Sequence, residues 1–312
     1  MGKNCMVIYF GKINLNSSHI FNVYRKELKL ETVLNVLLGC FTDGTVYEKE
    51  IVKKTKHGLV KKVDTYTVSI QEKNDEYIRG YILKASIIDY KKYNINTKKL
   101  ESKIVNADEA AEFYFDVYNE VFGYLTAKRL GHKNFVDAFE GLINECLKKD
   151  SNGYRFTARL YTLGMDIKEI EQELKTLSGI QELKFKIQPP NVETELLDDI
   201  EDNLNQYALA NMSSKSIILT AASSTGLVVS SKLVQDPLSE INTIHSRINA
   251  KECTKKGYVE VSAVDKYGIK YTTANKKPYT KIIDNVMEFV AACQEAIFAL
   301  RKAEDSPHDN EV

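Results

Sequence analysis

The sequence predicts an α+β protein, with antiparallel sheets, helices packed on one face and a long amphipathic C-terminal helix. Three stretches carry that expectation. Between Glu112 and Pro190, strand-like and helix-like runs alternate and end at a Pro-Pro stop. From Gly44 to Ser86 the pattern is that of a meander, with Val63–Ile70 rich in the Thr, Val and Tyr that suit a pleated, half-buried surface. Near the end, Val286, Phe289, Val290, Cys293, Ile297 and Leu300 share one helical face.

In chain order, residues 4–13 alternate as a strand. Leu30–Phe41 is a helix with Leu30, Val33, Leu34, Leu37 and Leu38 on one stripe. Asn74-Asp75 turns the chain, and Tyr77–Ala85 returns as the partner strand. Tyr90–Asn106, polar and Lys-rich, reads as loop. Phe113–Val117 and Val121–Leu130 are strands meeting at a turn, followed by a helix over Phe135–Leu147 and a strand over Tyr154–Leu160. Asp166–Leu177 is a helix that Asp166 can cap and Gly179 follows, and Leu183–Ile187 alternates as a half-exposed strand.

Val192–Asn205 is acidic with helical spacing, either a surface helix or a linker. After the Ser-rich run Ser213–Ser231, Asp236-Pro237 opens a short helix with Leu238, Ile241 and Ile248, proline being suited to the first helical position. Tyr258–Ala263 and Ile269–Thr273 pair as a hairpin. The last helix runs from about Ile282 to Lys302. The expected organisation is an α+β domain over 1–190, an acidic helix or linker over 191–212, a second α+β domain over 213–303 and a disordered tail over 304–312.

The chain has 312 residues, 43% apolar and 28% charged, enough for two domains or one large one with a real core. Its formal charge is zero, so attraction to a polyanion or a membrane must come from local patches. No apolar run approaches the ~20 residues of a membrane span. The N-terminus lacks the apolar core of a signal peptide, and Met6 stands where a myristoylation motif needs Ser or Thr. A cytoplasmic protein is expected. Five scattered cysteines, Cys5, Cys40, Cys146, Cys253 and Cys293, read as reduced and structural.

Legible chemistry is sparse. There is no Walker-type loop, no G-x-G-x-x-G, no H-E-x-x-H, no C-x-x-C and no G-x-S-x-G. His19, His57, His132, His245 and His308 are too dispersed to read as metal ligands. No catalytic residue, metal or cofactor is assigned. Ser223-Ser224-Thr225-Gly226 could hold an anion through its amides, but Ser-rich turns are common. Asp166 with Glu182 and Lys184 resembles the acidic groups of an Mg-dependent nuclease. A helix cap and an alternating strand explain the same residues more simply.

Charge placement is more telling. Phe135–Asn205 is acidic, whereas between Ser213 and Glu304 the lysines outnumber the acids. Lys53, Lys54, Lys56, Lys61 and Lys62 crowd a hairpin tip, Lys91, Lys92, Lys98, Lys99 and Lys103 follow, and Lys276, Lys277 and Lys281 lie near the end. Tyr90, Tyr93, Tyr271 and Tyr279 sit among them. Lysines on loop tips can track a phosphate backbone by releasing counterions. Their excess over arginine suits sequence-blind contact rather than base readout. Solubilisation and edge protection explain such lysines equally.

The run EFYFDVYNEVFGYLTAKRLGHKNFVDAFEGLI, then YRFTARLYTLGMDIKEIEQELKTLSGIQELKFKI, resembles the middle of the RexA-type prophage exclusion proteins. LETVLNVLLGCF is similar to a short helix near that family's start. The hairpin, YTTANKKPYTKI and NVMEFVAACQEAIFALRK match its end in layout. The resemblance implies a cytosolic antiphage defence protein that forms a homodimer and binds double-stranded DNA without strong sequence preference. By analogy, its architecture would be broadly that of the ring-forming DNA-binding protein RdgC.

The leading expectation is thus a non-enzymatic, sequence-independent DNA-binding sensor or effector in phage exclusion or abortive infection. Its phosphate contacts would be Lys53, Lys54, Lys56, Lys61, Lys62, Lys276, Lys277 and Lys281, around a groove closed by two subunits. Alternatives are a protein-interaction subunit docking a toxin or membrane effector from the same operon, and an Mg-dependent nuclease.

Overall fold

The computed structural model describes residues 5–55, 58–128, 130–162, 167–188, 209–212, 214–239, 258–274, 276–285 and 288–305. The protein is α+β, built on two antiparallel sheets. The larger sheet has eight strands: β1 (Met6–Leu15), β2 (Val46–Thr55), β3 (Gly58–Lys73), β4 (Tyr77–Asn94), β5 (Lys99–Asp116), β6 (Val121–Leu125), β7 (Phe156–Leu160) and β12 (Thr280–Ile283). Its order is β12-β1-β6-β5-β4-β3-β2, with β7 also paired to β1. The smaller sheet holds β8 (Ile180–Gln188), β9 (Lys215–Thr220), β10 (Tyr258–Asp265) and β11 (Lys270–Thr272), in the order β11-β10-β8-β9.

One face of the large sheet is covered by α1 (His19–Tyr24), α2 (Leu30–Cys40) and α3 (His132–Leu147). The expected stripe of α2 holds, because Leu30, Val33, Leu34 and Leu37 are buried. Phe139 of α3 is the centre of an aromatic cluster, its ring 4.2 Å from Phe122, 5.2 Å from Phe115 and 5.7 Å from Phe113. Deleting such a side chain removes both transfer energy and packing partners.

The same helix satisfies an edge strand. Asn144 Nδ2 donates to the carbonyl of Phe156 at 2.8 Å, and the Phe156 amide donates back to Asn144 Oδ1 at 2.9 Å. The Ala158 amide donates to Glu140 Oε2 at 2.8 Å. Backbone groups on β7 that lack a neighbouring strand thus still find partners.

The C-terminal helix (Phe289–Asp305) takes the opposite face. Phe289, Cys293 and Ile297 pack there with Ile8 and Phe10 of β1, Tyr77 and Tyr114. Burial pushes the Cys293 thiol up from its ordinary pKa and makes it a small hydrophobe, as it does structurally for Cys146. Gly123 makes this approach possible, since a Cβ there would lie 2.7 Å from Cys293 Sγ. The helix starts at Phe289 rather than near Ile282, because Thr280–Ile283 pair with β1 as a strand.

In the second sheet, α4 (Ile167–Thr176) buries Ile170 and Leu174 against Leu183, Phe185, Val261 and Ala263. A helix over residues 232–239 adds Val234 and Leu238. It starts earlier than the expected Asp236-Pro237 opening. The Gln235 amide already donates to the Ser231 carbonyl at 2.9 Å, so Pro237 sits inside the helix. Ile241, Ile248, the acidic segment 192–205, Cys253 and the tail beyond residue 305 lie outside the described residues.

The sheets interleave along the chain. β8, from before the expected boundary at 190, pairs with β9 and β10 from after it, and β12 returns to the first sheet.

Tyr90–Asn106 is not a loop. β4 and β5 pair without interruption from Tyr77↔Asp116 to Asn94↔Lys99, with a turn over residues 95–98. Lysine content hid a regular ladder, since lysine is depleted in strands but tolerated where a ribbon meets water.

Candidate nucleic-acid interface

Two-stranded ribbons project from the large sheet. β3 pairs with β4 only from Tyr66↔Lys84 to Lys73↔Ile78. Beyond that point β3 continues with β2 alone, to Thr55↔Gly58, and β4 with β5 alone, to Asn94↔Lys99. Because β3 and β4 are antiparallel, the start of β3 and the end of β4 leave the sheet at the same end. The ten residues of β4 from Ala85 to Asn94 extend about 33 Å at the usual rise of about 3.3 Å per residue.

The ribbons are basic in a neutral chain. Residues 48–65 contain six lysines against three acids, and residues 85–108 contain five against three. Neither segment contains arginine.

A buried ion cluster marks the fork. Asp64 Oδ2 lies 2.7 Å from Lys84 Nζ, and Asp64 Oδ1 lies 2.7 Å from Lys62 Nζ. Asp64 and Lys84 are buried, and Lys84 also stands 5.4 Å from the centroid of the Tyr66 ring. Burial alone would raise the Asp64 carboxyl, but hydrogen bonds and charge from Lys62 and Lys84 outweigh it and hold the pKa below the usual carboxylate value. Burial, with the Asp64 charge next in weight, pushes the Tyr66 hydroxyl up to about 12. Lys49 adds a further tie across to α3, 2.7 Å from Asp137.

The lysines singled out in the sequence stand at opposite ends of the large sheet. β2, which carries Lys53 and Lys54, and β12, which carries Lys281, are the end strands of the seven-strand path. At about 4.8 Å per strand they are about 29 Å apart. Every one of these lysines whose side chain is described holds a carboxylate: Lys61 is paired with Glu50 at 2.8 Å, Lys62 with Asp64, Lys276 with Glu173, Lys277 with Glu169 at 2.6 Å, and Lys281 with Glu295. Lys276 and Lys277 thereby tie the approach to β12 onto α4. Lys53 and Lys54 stand on β2 with side chains outside the described part, and Lys56 lies outside the described residues.

The tip of the β4–β5 ribbon differs. Lys91, Lys98 and Lys99 are exposed and enter no ion pair among the described residues. Tyr93 and Leu100 face each other across the ribbon and are 55% and 63% exposed. Ile95, in the turn, is 79% exposed. Lys91, Lys98, Lys99 and Tyr93 are noted from the sequence but read as loop, outside the named phosphate contacts, and Ile95 and Leu100 are not singled out there. The available signal was turn-prone Asn94 and Asn96 lying between the β-branched runs Ile87-Ile88 and Ile104-Val105.

The other candidates are less developed. Ser223-Ser224-Thr225-Gly226 packs on Gly179: a Cβ on Gly226, at φ +87°, would meet the Gly179 backbone at 2.4 Å. Gln181 Nε2 donates to the carbonyls of Ser223 and Ser224, and the Leu227 amide donates to the Ile180 carbonyl. The turn is used to join β8 to the strand β9 side of the sheet. Glu182 and Lys184 share the partly exposed face of β8, Asp166 lies outside the described residues, and no metal-holding group of three or more His, Cys, Asp or Glu occurs among the described residues. No helix among the described residues is long and apolar enough to cross a membrane.

A family model settles the kinship. Residues 44–285 match the domain of unknown function DUF4747. The chain belongs to this family. The match begins just before β2 and ends just after β12, so the DUF4747 region contains both ribbons and the whole smaller sheet. A comparison with curated proteins found no match.

Proposed function

We propose that this DUF4747 protein is a non-enzymatic, sequence-independent DNA-binding protein acting as a sensor or effector in bacterial antiphage defence. The observation that carries the reading is the pair of ribbons. They leave one end of a sheet and hold eleven lysines against six acids in a chain of zero net charge. A two-stranded ribbon fits a DNA groove, and lysines without arginine favour phosphate contact over base readout. The RexA-type resemblance supplies the defence setting, a cytoplasmic location and a homodimer that closes a groove around the duplex.

In this reading Lys53, Lys54 and Lys56 join the tip lysines of β4–β5. Lys61, Lys276, Lys277 and Lys281 engage phosphate only by exchanging their carboxylates, a modest cost for such solvent-exposed pairs, whereas Lys62 would have to leave buried Asp64. Fluorescence anisotropy with a random-sequence duplex tests it. Affinity should fall steeply with salt and differ little between sequences. No binding at about 50 mM salt rejects the reading.

A second reading, a subunit that docks a toxin or membrane effector from the same operon, is favoured by one observation. Val46, Val52, Leu59, Val63, Tyr93 and Leu100 are all exposed, and strand register places them on the sheet face opposite α2 and α3. Co-purification of a neighbouring gene product, with no DNA affinity, would favour it.

A further inference from the structure

We propose that the tip of the β4–β5 ribbon is a duplex-deforming wedge. Ile95 enters between base pairs, Tyr93 and Leu100 line the groove behind it, and Lys91, Lys98 and Lys99 hold the flanking phosphates. The inference rests on the DNA-binding reading and adds what the protein does to the duplex.

The tip combines three properties found together nowhere else among the described residues. It lies farthest from the sheet, at the end of an uninterrupted ladder. It presents a large apolar residue, Ile95, at 79% exposure, with the Tyr93↔Leu100 pair directly behind it. It also presents cations with no ion-pair partner among the described residues, whereas the described lysines at the β2–β3 ribbon and near β12 are paired. Lys98 holds φ at +52°, the left-handed conformation that closes the turn and leaves Ile95 at its leading corner.

Charge complementarity selects the occupant. A protein groove that accepted Ile95, Tyr93 and Leu100 would have to leave three unpaired ammonium groups beside an apolar contact or supply three carboxylates. A nucleic-acid groove supplies phosphates on both sides of an apolar base stack. Exposed aliphatic side chains at such positions unstack a base step and bend the duplex by about 20–90°. The ribbon is anchored at its root, where β3 and β5 flank β4 and Asp64 clamps Lys84.

The test uses the full chain and a duplex of about 30 base pairs with 2-aminopurine at scattered positions and dyes at its two ends. Wild type should raise aminopurine fluorescence and shorten the end-to-end distance. Ile95→Ala should abolish most of both signals while weakening binding less than about tenfold. Lys98→Ala with Lys99→Ala should weaken binding to every sequence and lower the salt slope by about 2. Wild type that binds without unstacking or bending overturns the wedge and leaves the DNA-binding reading standing. A full signal from Ile95→Ala, or an unchanged salt slope in the double lysine variant, also overturns it. An absence of any binding by wild type overturns both.

Discussion

The two halves of β4 and β5 follow one ladder and have opposite environments. Near the sheet body, Ile78 and Ile82 of β4 and Phe113 and Phe115 of β5 are fully buried beneath α2 and α3. Beyond Lys84 the same strands carry exposed Lys91, Tyr93, Lys99 and Leu100. The hydrogen bonds continue across the change, so backbone pairing does not require a core. What a core adds is rigidity, because an isolated two-stranded ribbon is marginal in water. The chain concentrates apolar rings where helices can cover them and lysines where nothing does.

Breaking the covered half should cost most. Phe139→Ala removes the ring at the centre of the aromatic cluster and should destabilise the protein by about 3–5 kcal/mol, read by chemical denaturation. The fork comes next. Asp64→Ala leaves buried Lys84 without its carboxylate and should cost on the order of 3 kcal/mol. The Asp64 carboxyl is held below its unfolded pKa, so its stabilisation is complete above about pH 4 and is lost as pH falls through the folded value. Asp64→Asn should therefore flatten the acid limb of a stability–pH curve. A limb unchanged by that substitution would remove the clamp from the fork.

A smaller effect is expected at His132, whose ring lies 3.9 Å from that of Tyr9 and whose Nδ1 is 3.3 Å from the Tyr124 hydroxyl. Burial pushes its pKa below the ordinary value. The unfolded chain then takes up a proton first, so stability is lost as pH falls from about 6.5 toward the folded pKa. His132→Phe should remove that slope, and a slope that persists places it on another group. Smallest of all, Tyr93→Ala or Leu100→Ala should shift stability by less than about 0.5 kcal/mol. Native-state hydrogen exchange would sharpen the comparison: amides of Phe113–Asp116 should exchange only on global opening, those of Lys91–Asn94 by local fraying.

Much of the body could be read from periodicity. The stripes of α2 and α4, the Asn74-Asp75 turn and the β10–β11 hairpin are local patterns with local causes. In that hairpin, Asp265 Oδ1 accepts from the amides of Tyr267 and Ile269. The elements that escaped are decided elsewhere in the chain. Ile282 and Ile283 extend a helical pattern, yet pairing with Val7 and Met6 makes them a strand. Lys91, Lys92, Lys98 and Lys99 suggest loop, yet register with β5 makes a ribbon. For the candidate site, lysine density marks both ribbons, but ion pairing, which composition does not show, sets Lys61, Lys62, Lys276, Lys277 and Lys281 apart from the β4–β5 tip. The Asp64–Lys84 pair did leave a trace, since both fall at inward positions of alternating strands.

The placement of β12 against β1 joins segments far apart along the polypeptide and has a consequence for biosynthesis. The first strand emerges from the ribosome some 265 residues before the last strand that borders it (280 − 15), and the helix that covers Ile8 and Phe10 comes later still. At about 5–20 residues per second, that apolar face stays uncovered for roughly 15–50 seconds. On a nascent chain that face therefore stays open until Thr280–Ile283 and the helix Phe289–Asp305 have emerged, and a chain stopped before them would leave Ile8 and Phe10 exposed.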